Sequence, residues 1–332
     1  FSPCEMFAMQ GKITDGRTQG QLKSRYNRSL HPSRHQVSAV GSGSRIIPMQ
    51  SLWMIVASFC FACMGVCVKL ASESFSATEI VFYRAAISLG FMLLVVRFRK
   101  IPLATPHWKF QLTRSICGFL GLVSFFHAIS LLPLPTAVTL NYTSPLFLAL
   151  LLACTGRILL RTSLLAALAL GFVGVVLLLR PTFHADQLLG GLWGVGSGVL
   201  SALAYFNVRE LGELGENEER TVFYFSLFST IASALWMGVY EFHPVDLRGG
   251  LLLLGVGGFA TVAQLAMTRA YKRGNTLVSA SLAYTTVVFA SLLGVLLWKE
   301  SLTFGAWLAI GVIVASGLIS SWFSRANPAD QD

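Results

Sequence analysis

The chain has 332 residues, 54% of them hydrophobic and only 12% charged, where soluble domains carry about 25% charged residues. With a mean hydropathy of +0.66, a water-exposed globular enzyme is all but excluded, because its surface would carry large apolar patches. The formal net charge is +10, and half of it falls in residues 1–48, where seven Lys and Arg face only Glu5 and Asp15.

Residues 1–48 show no hydrophobic period and read as a disordered basic tail. Aromatic interleaving is absent, so no nucleic-acid partner is expected. Because the chain opens on Phe1 while Met49-Gln50-Ser51 directly precedes the first apolar run, whether this tail is native is left open, and it is set aside from fold reasoning.

The remaining apolar runs are long and unalternating, which fits membrane helices of about 20 residues and not the alternating strands of a barrel. Ten are marked, over 51–70, 78–96, 111–131, 134–153, 163–180, 189–208, 221–240, 249–270, 277–297 and 303–322. In the first, Cys60, Cys63 and Cys67 follow helical spacing. A metal site is the tempting reading, but cysteines beside Ala62 and Gly65 serve close helix packing in lipid. No metal, cofactor or disulfide is expected. In the second, Arg84 is expected to snorkel or to pair with Glu73 or Glu79, with a clamp on a solute carboxylate as the alternative. In the third, His127 would titrate near neutrality and could couple a proton, although a hydrogen-bonded structural role is the expected one.

Polar groups inside a membrane helix usually face the bundle interior. The fourth segment offers Thr139, Asn141, Tyr142, Thr143 and Ser144 near its midpoint, and the ninth offers Ser281, Tyr284, Thr285 and Thr286. Asn141, Tyr142, Thr143, Tyr284 and Thr285, with Gln264 of the eighth segment, are the expected substrate-binding residues. The alternative is that the hydroxyls bond their own helix carbonyls and the tyrosines pack between helices. Pro145 cannot bond the carbonyl of Asn141, so a kink or hinge is expected there. Val287 holds the matching place in the other half, which makes that hinge asymmetric. Tyr205 and Asn207 are candidates for an inner gate, and Gly191, Gly194, Gly196 and Gly198 for close helix packing. Glu210, Glu213, Glu216, Glu218 and Glu219 read as a solvated linker.

Orientation follows from Lys and Arg in the short connections. With the N-terminus inside, thirteen fall on the inner side, counting Arg114 at the foot of the third helix, and four on the outer side. Both termini are expected in the cytoplasm, with the chain in the plasma (bacterial inner) membrane. Sliding the chain by 142 residues lays Ala128–Phe147 on Ala270–Phe289 without a gap, with five of twenty positions identical. An offset of 141 places Val81-Phe82-Tyr83 on Val222-Phe223-Tyr224. Each half then holds five crossings, residues 49–182 and 183–323, followed by a cytoplasmic tail at 324–332. An odd number of crossings inverts the second copy and gives a pseudo-twofold axis in the membrane plane.

Ala137–Ser144 followed by Pro145-Leu146-Phe147, Tyr284-Thr285, and Trp298-Lys299-Glu300-Ser301-Leu302-Thr303, set in this duplication, resemble EamA-type carriers of the drug/metabolite transporter superfamily. One departure is visible: opposite Glu300 this chain has Ile158, with Arg157 opposite Lys299. The resemblance implies an all-α integral membrane protein whose ten helices form two inverted five-helix repeats around a central cavity. It further implies a secondary carrier, commonly an exporter of amino acids, related metabolites or drugs. The expected partners are a small-molecule solute and the lipid bilayer, with a homodimer left open. An enzyme is not expected, because Gly-x4-Gly-Lys-[Ser/Thr], His-Glu-x2-His and Gly-x-Ser-x-Gly are all absent from the sequence. A non-transporting sensor or assembly protein is the remaining alternative. No Asp or Glu falls mid-segment, which weakens tight proton coupling and favours facilitated diffusion or exchange.

Overall fold

In the computed structural model, the described residues are 47–156, 162–182, 187–237, 242–299 and 301–325. The expectations for the basic tail, for Arg157, Ile158, Arg161 and Glu300, and for the end of the C-terminal tail lie outside them. A short helix, Ile47–Ser51, leads into α1 (Trp53–Ala71). Then come α2 (Ala77–Arg99), α3 (Trp108–Leu131), α4 (Leu134–Asn141), α5 (Ser144–Cys154) and α6 (Thr162–Leu179). After these come α7 (Leu188–Glu213), α8 (Glu218–Met237), α9 (Leu247–Arg273), α10 (Thr276–Ala283), α11 (Thr285–Trp298) and α12 (Phe304–Arg325).

Helix starts are written locally in the sequence. Ser76 and Glu79 form a reciprocal capping box at α2, Asp246 accepts from the Gly249 amide at 2.7 Å to open α9, and the Asn275 side chain accepts from Leu277 and Val278 at α10. Each satisfies amides that have no partner within the helix. Among the described residues, nine helical spans are long and apolar enough to cross a membrane. The segment expected at 221–240 differs: α8 opens on Glu218, Glu219 and Arg220 and carries Ser226, Ser229, Thr230 and Ser233, which dilute its apolar content. The chain is an integral, multi-pass, all-α membrane protein. Leucines at the helix flanks, such as Leu94, Leu192, Leu235, Leu251 and Leu296, are exposed and have lipid as their natural neighbour.

Packing runs between the halves. α3 lies along α7, and α9 lies along α1; α2 pairs with α8, and α6 with α12. The largest core cluster gathers around Leu148, Leu152, Leu168, Val175, Tyr284 and Ile313. Small residues permit these approaches. A Cβ on Gly171 would stand 2.7 Å from the Tyr284 ring and 2.5 Å from the Ser316 hydroxyl.

The fourth segment is a single span interrupted at Tyr142 and Thr143, whose backbone stays near-helical. It stops at Asn141 and restarts at Ser144, so Pro145 occupies the first turn of a new helix, where its missing N–H costs nothing. The ninth segment breaks at Tyr284 with no proline at all. Both segments are thus interrupted, with a proline following the interruption in only one of them. Thr143 donates to Leu140 O at 2.6 Å and Thr285 donates to Leu282 O at 2.6 Å, adding to the backbone amides that these carbonyls already accept at each break.

The tight seam at Gly171 yields an expectation. Gly171→Val should destabilise the detergent-solubilised protein by about 1–3 kcal/mol through overpacking, read as a lowered thermal midpoint. Gly311→Ala, where nothing lies within 4 Å of the added carbon, should not lower the midpoint, and the better helix propensity of Ala should raise it slightly.

Candidate solute-binding cavity

The breaks at Tyr142 and Tyr284 flank a cavity of about 500 Å³, a volume suited to a small organic ligand. One part of its wall is apolar, with Phe61, Met64, Val68, Phe125 and Phe126. The other part carries Arg84, Arg114, Asn141, Tyr142, Tyr205 and Gln264, together with Ser201, Tyr271 and Thr286. The space extends to Ile129 and Leu134 where α3 passes into α4. No Asp or Glu stands among the lining residues.

Arg114, in the second turn of α3, is only 2% exposed. Its Nη2 donates to Gln264 Oε1 at 3.3 Å, and the guanidinium lies 3.8 Å from the centre of the Phe225 ring. Its Nε and Nη1 are buried without a partner. Arg84 has a buried, unpartnered Nε as well. It pairs with neither carboxylate expected for it. Glu79 instead accepts from the Ser76 amide at 2.7 Å, the His243 amide at 2.7 Å and the His243 ring at 2.9 Å, while Glu73 faces Arg248 at 3.8 Å. An Arg within a membrane helix is costly without a partner, and here Arg84 and Arg114, both in the first half of their helices, have no ionic one.

The tyrosines divide. Tyr142 lines the cavity within reach of the Thr286 hydroxyl, and its ring is 6.2 Å from that of Tyr284. Tyr284 is fully buried behind it, with its hydroxyl unpartnered. Tyr205 stacks on Tyr271 at 5.0 Å. Asn141 donates to Ser197 Oγ at 3.0 Å. Of the expected residues, Asn141, Tyr142, Pro145, Tyr205, Gln264 and Arg84 are brought together around one space. Thr143, Tyr284 and Thr285 are not on its wall: the threonines are taken by helix carbonyls. Asn207 also turns to its own helix, donating to Leu203 O at 2.8 Å. His127 stands apart, bonded to Val123 O at 3.2 Å and flanked by the rings of Trp193 and Trp236 at 5.0 and 6.5 Å. Arg114 was legible only as an inner-side positive charge, although its position between Leu112 and Ile116 already placed it inside an apolar segment. Tyr271, beside Lys272 and Arg273, carried no comparable signal.

At the end of the bundle nearest Arg114, charges form a collar. Glu216 accepts from Thr105, from Arg220 at 2.7 Å and from Gln111 at 3.4 Å. Lys272 donates to the Glu216 and Asn217 carbonyls at 3.2 and 3.1 Å and to the Thr221 hydroxyl at 2.7 Å. Arg273 meets Glu218 at 2.5 Å and Arg99 meets Glu219 at 2.6 Å. The linker expected to be solvated is thus partly buried, since Glu210, Glu216 and Glu218 are each below a tenth exposed. These acids hold the α2–α3 connection, the α7–α8 linker and the end of α9 together. Among the described cysteines all are free thiols, and Cys67 packs on Gly255 of α9.

The EamA-like transporter family matches the chain twice, over residues 49–180 and 188–322, and the chain belongs to that family. The pseudopaline exporter of Pseudomonas aeruginosa strain UCBPP-PA14 is 30% identical over 249 residues, spanning 75% of this chain and 87% of the exporter. An uncharacterised transporter of Helicobacter pylori strain J99 is 28% identical over 80% of this chain and 92% of its own. The riboflavin transporter of Vibrio cholerae is 23% identical over 86% and 97%. A solved crystal structure shares the fold with a TM-score of 0.75 at 19% identity, covering 83% of this chain and 99% of the matched one.

The collar sets a pH expectation. Burial pushes the Glu216 carboxyl up, but hydrogen bonds from Thr105 and Arg220 and the charges of Arg220 and Lys272 outweigh it and hold the group below its usual value. A depressed pKa stabilises fully above the ordinary carboxylate value of about 4.3 and loses that contribution as pH falls from there through the folded value. The stability advantage of the unaltered protein over Glu216→Gln should therefore be constant from pH 7 down to about 5 and shrink below that. Thermal midpoints across this range are the measurement; a difference independent of pH down to 3 would refute the assignment.

Proposed function

We propose that the protein is a secondary transporter of a small organic metabolite, working by alternating access between two inverted five-crossing halves, residues 49–182 and 183–323. In this reading α8 is the seventh crossing, and α4–α5 and α10–α11 are the fourth and ninth, each broken at midspan. The observation that carries the proposal is the cavity whose wall takes Asn141 and Tyr142 from one interrupted segment and Ala283 and Thr286 from the other, segments related by the 142-residue offset. Discontinuous helices at a repeat interface are the usual site of solute binding in such carriers. The swapped pairing of α3 with α7 and of α1 with α9 supports the same twofold relation.

With thirteen inner against four outer basic residues, both termini lie in the cytoplasm and the collar closes the cytoplasmic end. The substrate enters or leaves when the collar opens, and the apolar and polar walls fit a solute with both characters. Relatives named as exporters and transporters support a role in moving metabolites across the plasma membrane. His127 stands outside the cavity, so it does not carry the coupling. The transporter is a facilitator, exchanger or exporter without a proton relay through that residue.

Purified protein in liposomes, screened against pooled metabolites, should show saturable flux. Tyr142→Ala should reduce kcat/KM by about tenfold or more, the scale of one lost ordered contact, with Tyr142→Phe intermediate. An imposed pH gradient should affect flux equally with and without His127→Ala. Absence of saturable flux for every pooled metabolite would overturn the transport reading.

A further inference from the structure

We propose that the ligand of the cavity is an organic anion: an apolar or aromatic body bearing an oxyanion head, which Arg84 and Arg114 receive. This rests on the transport reading above and adds to it the charge class of the solute.

The lining contains two guanidiniums and no carboxylate. A guanidinium has five N–H donors in a fixed fork. Arg114 places one on Gln264, a neutral partner, at 3.3 Å, and leaves Nε and Nη1 unpartnered while 2% exposed. No hydrogen bond or ion pair joins Arg84 to any described residue, and its Nε is buried bare. Both line the same space.

The acids that might neutralise them are engaged elsewhere. Glu79 holds Ser76 and His243; Glu73 faces Arg248; Glu216 holds Thr105, Arg220 and Gln111. Unpaired charge in a low-dielectric interior is retained at a cost unless a partner arrives. A carboxylate or phosphate supplies paired acceptors that match the fork, while an amide or amine does not. The neutral donors of Asn141, Tyr142 and Tyr205 surround the same space, and the phenyl-lined wall formed by Phe61, Phe125 and Phe126 takes the apolar body.

Equilibrium binding to the full-length protein in a neutral detergent tests this with matched probes. Indole-3-acetate is compared with indole-3-acetamide and tryptamine, and 1-naphthyl phosphate with 1-naphthol. At least one anion should bind about tenfold or more tightly than its neutral counterpart, the increment of one charge-assisted contact, and tryptamine should bind worst. Which anion prevails distinguishes a carboxylate solute from a phosphate ester. Arg84→Gln and Arg114→Gln should each bring the anion down to the affinity of its neutral counterpart, and Arg84→Lys should retain part of the discrimination.

Should the glutamine variants misfold, the ranking of probes by charge on the unaltered protein still decides. Equal or tighter binding of the neutral probes or of tryptamine, or no binding of either anion, overturns the proposal. So does displacement of the effect by phosphatidylglycerol alone, which would assign the arginines to a lipid headgroup. The transport reading fails separately: anion binding without flux across liposomes would defeat the carrier and keep the anion site. Saturable flux of neutral metabolites without anion preference would do the reverse.

Discussion

A peptide group left without a hydrogen-bond partner in hydrocarbon costs several kcal/mol, and this chain interrupts a membrane helix twice. Both interruptions are made tolerable in the same way. Thr143 and Thr285 fold their hydroxyls back onto the carbonyls of Leu140 and Leu282, and one turn earlier Thr139 and Ser281 do the same to Pro135 and Leu277. Neighbouring helices then approach closely enough to shield what remains: Gly198 leaves no room for a side chain beside Thr143 and the Leu140 carbonyl, and Ser58 donates to the Leu282 carbonyl at 3.4 Å. The cavity lies where the helices are interrupted, and at each interruption these side chains and the close-packed neighbours add to the bonds that the backbone keeps.

The distribution of charge follows a second rule. Acids are confined to the ends of the bundle, where Glu79, Glu216, Glu218 and Glu219 are each tied to a base or a cap. The interior keeps two arginines and no acid on the cavity wall. A buried ion pair that the protein supplied itself would compete with any ligand for the same donors. By spending its carboxylates at the rims, the chain leaves the guanidiniums of the interior to whatever enters.

Much of this was readable from the sequence, and the reason is periodicity. The 142-residue offset superimposes Leu140, Tyr142 and Thr143 on Leu282, Tyr284 and Thr285, the stretch in which both segments are interrupted, although the sequence pointed to Pro145 for the bend and offered no sign of an interruption at Tyr284. What sequence could not supply was direction. Thr143 and Tyr142 are adjacent, yet one serves the backbone and the other the cavity, and only the course of the chain after Asn141 separates them. Arg84 was paired on paper with Glu79 by proximity along the helix; a local capping box claimed that carboxylate first, with His243 joining from 164 residues away. The acidic linker failed for a related reason. A run of glutamates looks solvated until Lys272, Arg273 and Arg99, all remote in sequence, are brought against it.

The seams between the halves differ in how much movement their packing allows. Along α6 and α12, a carbon added at Gly174 would lie 2.7 Å from Ile313 and one at Gly171 would meet Ser316 and Tyr284, so the contact is filled and has no alternative register without a large cost. At the collar the contacts are ion pairs and hydrogen bonds between long side chains such as Arg99, Arg220 and Lys272; an exposed pair such as Arg99 with Glu219 exchanges for water at a loss of about 1 kcal/mol or less, while the buried Glu216 needs another partner or water to replace Arg220. A bundle built this way yields first at its charged rim and last at its glycine-lined seam. On the transport reading, that ordering makes α6 with α12 the fixed spine and the collar the gate, with the arginine-lined space between them.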